Sequence, residues 1–484
     1  MISISVNDER IDINESASFT IGGRSPFVSP GELWGPKVYN VSALDSRRNA
    51  RIFQFASMLN NTDRVKAYDN AEIRLADLLW KRGTLKLRDF ASAYNFSFHS
   101  DAGDIEARIK NLTLQDLDLG TAPTDLNVTD SYPTANHAYF TVKNQSFYGD
   151  ANPSFNGYIN RYDTANSRLF NPTADGNDYT ITPFPFLLYV LDTAFKQLGY
   201  FGITGSWTED PLIRKVVLYN NFDHRTPTIT YAEHMPPISV GSFLIDVAVT
   251  FGITYRVNPV TRWVEIVRIP DWLNDQSYTE FDRANARYKL EPNENDGFLF
   301  RMAADSEDKR FDTLPSWMTS RSGNGSETVD TQASPLDMIT ETNPMGGDWT
   351  IPVVDQAGSG PAFGLEAEAR GGLRFMIFDG MTTDSMGNAF PQGHYMTTGL
   401  SLRWEGTDGI LERCYTEWME WKSYTEYMDR TVDLSLVELL QLDTQRKVMI
   451  DDLKWVIDDF EASVTASGNP DRIKTRLKLY SIKL

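Results

Sequence analysis

Cysteine is almost missing from these 484 residues: Cys414 stands alone. A single thiol excludes an internal disulfide framework and fits folding in a reducing cytoplasm. Between Arg413 and Tyr415 it reads as a small buried hydrophobe, not as a nucleophile. Histidine is scarce as well. His99, His137, His224, His234 and His394 are the only five, and none has a second His or Cys at the short spacing that marks a zinc site. Long apolar runs are absent too. Residues 184–195 and 243–253 come nearest, but Asp192 and Asp246 interrupt them and both are too short to span a bilayer. The opening Met1-Ile2-Ser3-Ile4-Ser5-Val6 alternates like a strand and has neither the basic start nor the apolar core of a signal peptide. These absences lead to the expectation of a soluble chain with no membrane anchor and no export signal.

Positive charge is in the minority. Lys and Arg number 46 against 66 Asp and Glu, a net charge of −20. Such a surface repels phosphate backbones unless a local basic patch intervenes. The basic pairs Arg47-Arg48, Lys81-Arg82, Arg214-Lys215, Lys309-Arg310 and Arg446-Lys447 are scattered and read as solvated charge. No GxxxxGK[ST] phosphate loop occurs, and residues 199–205 carry Tyr and Phe where a tight helix entry would need small residues. A GxSxG nucleophile elbow is missing. Asp175-Gly176-Asn177-Asp178 lacks the spaced ligands and terminal Glu of a calcium loop and reads as a surface turn. The expectation is therefore no catalytic, cofactor-binding or metal-binding residue, no cofactor, and no enzyme activity.

One enzymatic class has to be weighed against that. An acidic chain with 11 Trp could hydrolyse glycosides, which needs two carboxyl groups about 5–10 Å apart across a sugar site. Glu265, Glu405, Asp408 and Glu417 are candidates, and Trp418 and Trp421 could stack on sugar rings. Ordinary packing is the plainer reading of both tryptophans.

What is present is globular composition, 41% hydrophobic and 12% aromatic, and a length that allows several domains and burial of roughly 75% of the unfolded surface. The last stretch is strand-rich. Ser435-Leu436-Val437-Glu438 has a capping-box pattern, residues 446–450 and 453–457 flank Asp451-Asp452 as a hairpin would, and residues 474–482 alternate as a closing strand. At the other end, residues 2–6, 10–13, 38–41 and 52–55 read as strands. Residues 72–79 and 84–87 read as two more, with Lys81-Arg82-Gly83 as their turn, and residues 104–110 as a short helix. Residues 121–180 and 305–365 are rich in loop-forming residues, including Ser320 to Ser326 and Gly358-Ser359-Gly360-Pro361. Thr182-Pro183 is the expected start of a helix through Leu187, Leu191, Ala194, Phe195 and Leu198 to Gly199. Ser239 is the expected cap of a second helix, with Phe243, Val247 and Phe251 on one face and Gly252 at its end. It leads into alternating Ile253, Tyr255 and Val257, a turn at residues 258–261 and a return strand over 263–267. A helix feeding a hairpin is a compact α+β unit. The aromatics of residues 413–429 lie mostly three apart and would wrap a helix instead of forming one stripe.

Taken in order, these pieces resemble the tail hub (baseplate hub or tail-tip) proteins of tailed bacteriophages and contractile injection systems, the Bacteroidetes-phage type in particular. Three stretches carry the resemblance. The first is residues 39–87, with Asn49, Arg51-Ile52-Phe53 and Lys81-Arg82-Gly83-Thr84-Leu85-Lys86-Leu87. The second holds Phe184-Pro185-Phe186 through Gly199-Tyr200, then Leu218-Tyr219-Asn220, then Pro237-Ile238-Ser239 through Val257. The third is residues 409–415, 432–442 and Lys447-Val448-Met449-Ile450 with the closing strand. Together they cover about half of the chain.

The resemblance implies a β-rich α+β, multi-domain structural protein of the virion tail, assembled in the host cytoplasm. Expected domains are a tube-like β-barrel at 1–120, a loop-rich insertion at 121–180, an α+β lobe at 181–300, a loop-rich insertion or second lobe at 301–395, and a second tube-like β-barrel at 396–484. Such hubs are homotrimers whose paired barrels present a pseudo-sixfold ring to a hexameric tube, since threefold and sixfold symmetry must meet through closed contacts. The implied partners are copies of itself, the tail tube protein, a central spike or tip protein and other tail-tip proteins, with DNA passing only transiently through the lumen. An acidic lumen that DNA does not adhere to is a further expectation, motivated by the net charge. The alternatives are a hexameric distal tail or other tail-tip ring protein, and a carbohydrate-active or receptor-binding tail module.

Overall fold

A computed structural model describes residues 2–14, 18–31, 38–58, 67–75, 77–100, 109, 111–127, 131–257, 261–281, 284–292, 295–360, 371–465 and 472–482. The fold is β-rich α+β. The chain forms two compact units: one from residues 1–109, 275–294 and 420–484, the other from residues 110–274 and 295–419. The expected helix at 104–110 and the expected turn at 258–261 fall largely outside the described residues.

The first unit opens with β1 (Ile2–Val6), in which Ile2, Ile4 and Val6 are buried and Ser3 and Ser5 are partly exposed. It turns at Asn7 and Asp8, at φ +48° and +65°, which Asn and Asp tolerate best among L-residues. It returns as the short β2 (Glu9–Arg10). Next come β3 (Ser18–Arg24), β4 (Val38–Leu44), β5 (Ala67–Leu75), β6 (Leu78–Phe90) and β7 (Ala93–Ser100). Six of them line up as β2-β1-β5-β6-β7-β4. The two ends of that row then meet: Ile13 bridges to Ala43, and Leu44 N–H donates to Asp12 O at 2.9 Å. These contacts curl the sheet and bring the two ends of the row together.

Two local expectations are corrected here. Lys81-Arg82-Gly83 is not a turn but the interior of β6, where these residues face Ile73, Glu72 and Ala71 across the ladder. Arg82 Nε donates to Glu72 Oε1 at 2.9 Å, so Arg82 serves cross-strand pairing, and the reversal lies before it, beside Asp77 at φ +64°. Residues 52–55 are not a strand. A helix, Arg47–Ile52, ends there, its first turn capped by Ser46 Oγ accepting from Asn49 N–H, and Gln54 and Phe55 leave it at positive φ. The buried Asn49 amide donates to Asp12 O and Leu44 O at 2.8 and 2.7 Å, bonding to both sides of the barrel's closing seam.

The second sheet of this unit uses β8 (Tyr278–Glu280), β9 (Ala284–Pro292), β10 (Glu426–Leu434), β11 (Lys447–Ile450), β12 (Leu453–Thr465) and β13 (Ile473–Ser481), in the order β8-β11-β12-β13-β10-β9, with β3 also pairing β12. The Asp451-Asp452 hairpin forms with both residues at positive φ, +51° and +61°, the geometry that suits tight hairpins. The capping box of Ser435 and Glu438 opens the Leu436–Gln441 helix. Along β13, Ile473, Thr475, Leu477, Leu479 and Ser481 point inward. This sheet must curl. Strands lie about 4.8 Å apart, so a flat row of six would separate its edges by roughly 24 Å. Yet β8 ends at Glu280 and β9 begins at Ala284, a reach of at most about 14 Å for extended chain. Among the described residues no pairing joins these two edges, which leaves a seam. Both sheets contribute to one hydrophobic core running from Ile2 and Phe96 to Trp455 and Leu479.

The second unit holds the α+β hairpin element. Val240–Phe251 is helical, capped by Ser239 Oγ accepting from Ser242 N–H and ended by Gly252 in the left-handed region. Ile253–Val257 and Trp263–Arg268 pair antiparallel, and Gly202–Thr204 adds to the latter in parallel. The preceding helix is Leu187–Gln197, with Gly199 at φ +93° just beyond it. Thr182 does not cap it. Phe186 occupies the cap position, and the Thr182 hydroxyl donates instead to Phe222 O at 2.9 Å. Residues 121–180 have only two- and three-residue strands, yet Tyr139, Phe140, Phe147, Ile159 and Leu169 belong to a large core cluster.

The stretch expected to pack least is also built into the fold. Residues 320–323 lie within the strand Thr319–Gly323, antiparallel to Gly297–Met302. Ser359 is fully buried, and a Cβ at Gly358 would lie 2.7 Å from the Phe147 ring. Glycine is required there because an aromatic ring takes the side-chain space.

Candidate functional site

The weighed carboxylates each have a separate local partner. Glu265 pairs with Arg256 across its hairpin at 3.1 Å. Glu405 accepts from the Ser320 hydroxyl. Asp408 accepts from Gly399 N–H at 2.9 Å, and Glu417 from Asn274 Nδ2 at 2.9 Å. Trp418 is fully buried, packed on Phe298 and Tyr415 at 5.2 and 5.8 Å between ring centroids. Trp421 is half-buried, its indole N–H donating to Ser481 O at 3.0 Å beside the Tyr480 ring. A sealed Trp418 cannot stack on a sugar. Cys414 is buried with its thiol pushed up to about 12 by that burial, so it is protonated and inert.

Three of the five histidines come together in the second unit, which spacing alone does not show. His137 sits on the strand His137–Ala138, His224 beyond the strand Val216–Tyr219, and His234 at the end of the 3₁₀ turn Tyr231–His234. The His224 and His234 rings lie 5.5 Å apart. Hydrogen bonds fix their tautomers. The Thr124 hydroxyl gives its proton to Thr226 O at 2.8 Å, so its oxygen accepts from His224 Nε2. Asn220 Oδ1 can only accept, so His234 donates from Nδ1 at 3.1 Å. That leaves His234 Nε2 as a bare lone pair with no partner among the described atoms. Burial holds His137 down to about 4, and depresses His224 and His234 as well, with the neighbouring imidazoles adding to the effect on His137 and His234. His394 stays apart, its Nδ1 accepting from Met396 N–H. Among the described residues no three His, Cys, Asp or Glu form a group able to hold a metal ion.

A cavity of about 380 Å³ in the same unit is lined by Ser242, Asp246, Asp305, Glu307, Gln332 and Arg374 among others. Burial raises the Asp246 carboxyl to about 6, against the pull of the Gln332 N–H it accepts at 2.8 Å. Arg374 pairs with Asp308 at 3.2 Å and packs over Phe311. Ser242 shares a hydrogen bond with Ser239, another hydroxyl, at 2.9 Å, so no general base activates it.

Charge is divided unevenly. The second unit holds 35 of the 66 acidic and 19 of the 46 basic residues, a net −16, which leaves −4 for the barrel unit. The acidity that motivates an acidic lumen therefore lies mostly outside the barrels.

No protein-family model matches the chain and no curated protein matches it. Among solved structures, the chain is similar to the 43 kDa tail protein of prophage MuSo2 from Shewanella oneidensis, at 7% identity and a TM-score of 0.37, covering 99% of this chain and 97% of that one. It is similar to the tail protein from Neisseria meningitidis MC58, at 9% identity and a TM-score of 0.36, covering 99% and 96%. It is also similar to the prophage tail protein gp18 from Listeria monocytogenes EGD-e, at 7% identity and a TM-score of 0.37, covering 99% and 94%.

Proposed function

We propose that this chain is a structural, non-enzymatic component of a phage tail: a hub that joins the hexameric tail tube to a central spike or tip as a trimeric adaptor in the virion. The observation that carries the reading is the pair of curled β-sheets in one unit, the first closed through Ile13 and Ala43 and the second drawn together by the short β8–β9 link. Three copies of a chain with two barrels offer six barrels to a sixfold ring. The sequence resemblance supplies the identity of that ring. Burial of Trp418 and the separately partnered carboxylates favour assembly over glycan hydrolysis.

The test is the copy number of the chain in an intact particle or in a co-assembly with its tube protein, by native mass spectrometry and electron cryomicroscopy. Three copies with six barrels facing the tube are expected. Six copies would assign the chain to a distal tail ring instead. An unassembled subunit that cleaves a bacterial polysaccharide would overturn the structural reading altogether.

A further inference from the structure

The second sheet of the first unit ends in a strand with one open side. Strand β8 lies at one edge of that sheet, paired in parallel with β11 alone. Phe281 N–H donates to Met449 O at 3.0 Å. In a parallel ladder alternate residues bond to the same side, so Thr279 and Phe281 serve β11 while Tyr278 and Glu280 aim their backbone groups at the open side. No described residue meets those groups. An edge of three residues is short, the means by which folds commonly discourage pairing. What sets this one apart is the space beside it.

A cavity of about 460 Å³ adjoins β8, lined by Thr279, Glu280 and Phe281 on one side and by Glu438, Gln441 and Leu442 of the neighbouring helix segment on the other. This lies within the 300–1,000 Å³ of sites that hold ligands. Its inner face is apolar, with Phe281 and Val448 buried. Its rim carries Glu280, Glu438 and Asp443 against Arg446, whose guanidinium already lies 3.8 Å from Asp443. Backbone donors and acceptors on an open edge, an apolar floor and an acidic rim together describe a groove for an extended segment.

We infer that this seam binds an extended, basic segment of a partner polypeptide by strand addition to β8. The incoming chain pairs with Tyr278 and Glu280, turns apolar side chains toward Phe281, and sets Lys or Arg beside Glu280 and Asp443. Strand addition gives affinity through the main chain and selectivity through alternate side chains. The inference stands on the seam itself and holds whether or not the protein is a tail hub.

The test uses the full chain and the blocked hexapeptide Lys-Val-Lys-Val-Lys-Val, with Glu-Val-Glu-Val-Glu-Val as its counterpart. The basic peptide is expected to slow amide exchange at Tyr278 and Glu280 by about tenfold or more, and the acidic peptide to bind about tenfold more weakly. Glu280→Pro removes an N–H that faces the open side together with one rim carboxylate and leaves the β8–β11 bonds in place, so it should retain the parent's thermal midpoint and weaken the basic peptide about tenfold. Where that variant does not fold, the exchange measurement on the parent decides. Unchanged exchange at both amides, equal binding by a folded Glu280→Pro variant, or self-association of the chain that this variant abolishes would each overturn the proposal.

Discussion

Arg374 and Asp308 are closed off from water together, Nη1 donating to Oδ2 over 3.2 Å with almost no exposure of either side chain. Asp308 Oδ1 also accepts the N–H groups of Arg310 and Asp355 at 3.1 and 3.0 Å, so its charge holds two loops as well as the guanidinium. Removing one partner of a buried pair strands the other. Arg374→Met is expected to destabilise the second unit by about 3–5 kcal/mol. Urea unfolding of the variant against the parent measures this, and a loss below about 1 kcal/mol would contradict it.

The histidine cluster predicts acid sensitivity of a definite sign. His137, His224 and His234 all have folded-state pKa values below the unfolded value of about 6.5. A group depressed in this way contributes stability that is fully present above about 6.5 and is lost as pH falls toward 4. His234→Gln keeps a donor for Asn220 and removes one titrating ring. Urea midpoints between pH 7.5 and 4.5 should fall less steeply for this variant than for the parent; parallel slopes would refute the assignment.

Asp246 titrates the opposite way. Its carboxyl is raised to about 6, above the unfolded value of about 3.9. Its contribution to stability is therefore present below about pH 4 and lost as pH rises through 6. Asp246→Asn carries no such dependence. The stability of the variant relative to the parent should rise by roughly 2–3 kcal/mol between pH 4 and 7, as read from denaturant midpoints at several pH values. A difference that stays flat with pH would count against a buried, strained carboxylate.

Gly252 ends its helix at φ +56°, with an added Cβ falling 2.6 Å from Cys414 Cβ. Alanine there meets both a backbone penalty and a clash with a packed side chain. Gly252→Ala should lower stability by about 2–4 kcal/mol, with a smaller loss when it is introduced beside Cys414→Gly, which removes the opposing Cβ. Calorimetry of the variants checks this, and an equal loss in both backgrounds would place the whole cost in the backbone.

Local chemistry was legible wherever the bonding partners are close in sequence. Ser239 with Ser242, Ser435 with Glu438, and the Asp451-Asp452 hairpin follow from capping and turn rules alone. What escaped sequence reading depends on distant partners. Lys81-Arg82-Gly83 looks like a turn until Glu72 is found across the ladder. Thr182 has a capping side chain, but the helix begins only at Leu187, and the Thr182 hydroxyl bonds Phe222 O. Glycine and serine at 358–360 signal a loop, and only the Phe147 ring reveals why Gly358 must be small. The histidine cluster and the β8 seam had no sequence signal at all, because each is assembled from segments far apart along the chain.

Strand β3 pairs along β12 from Ser18–Thr465 to Arg24–Asp459, and the Thr444 hydroxyl donates to Arg24 O over a sequence separation of 420. The whole of the second unit is threaded between these two halves. During synthesis the inner unit can therefore mature while β3 still waits for its mate, and contacts of such long range form slowly. The second sheet of the first unit is therefore expected to close last, and a chain halted before residue 459 would carry an intact lobe tethered to an unmatched strand.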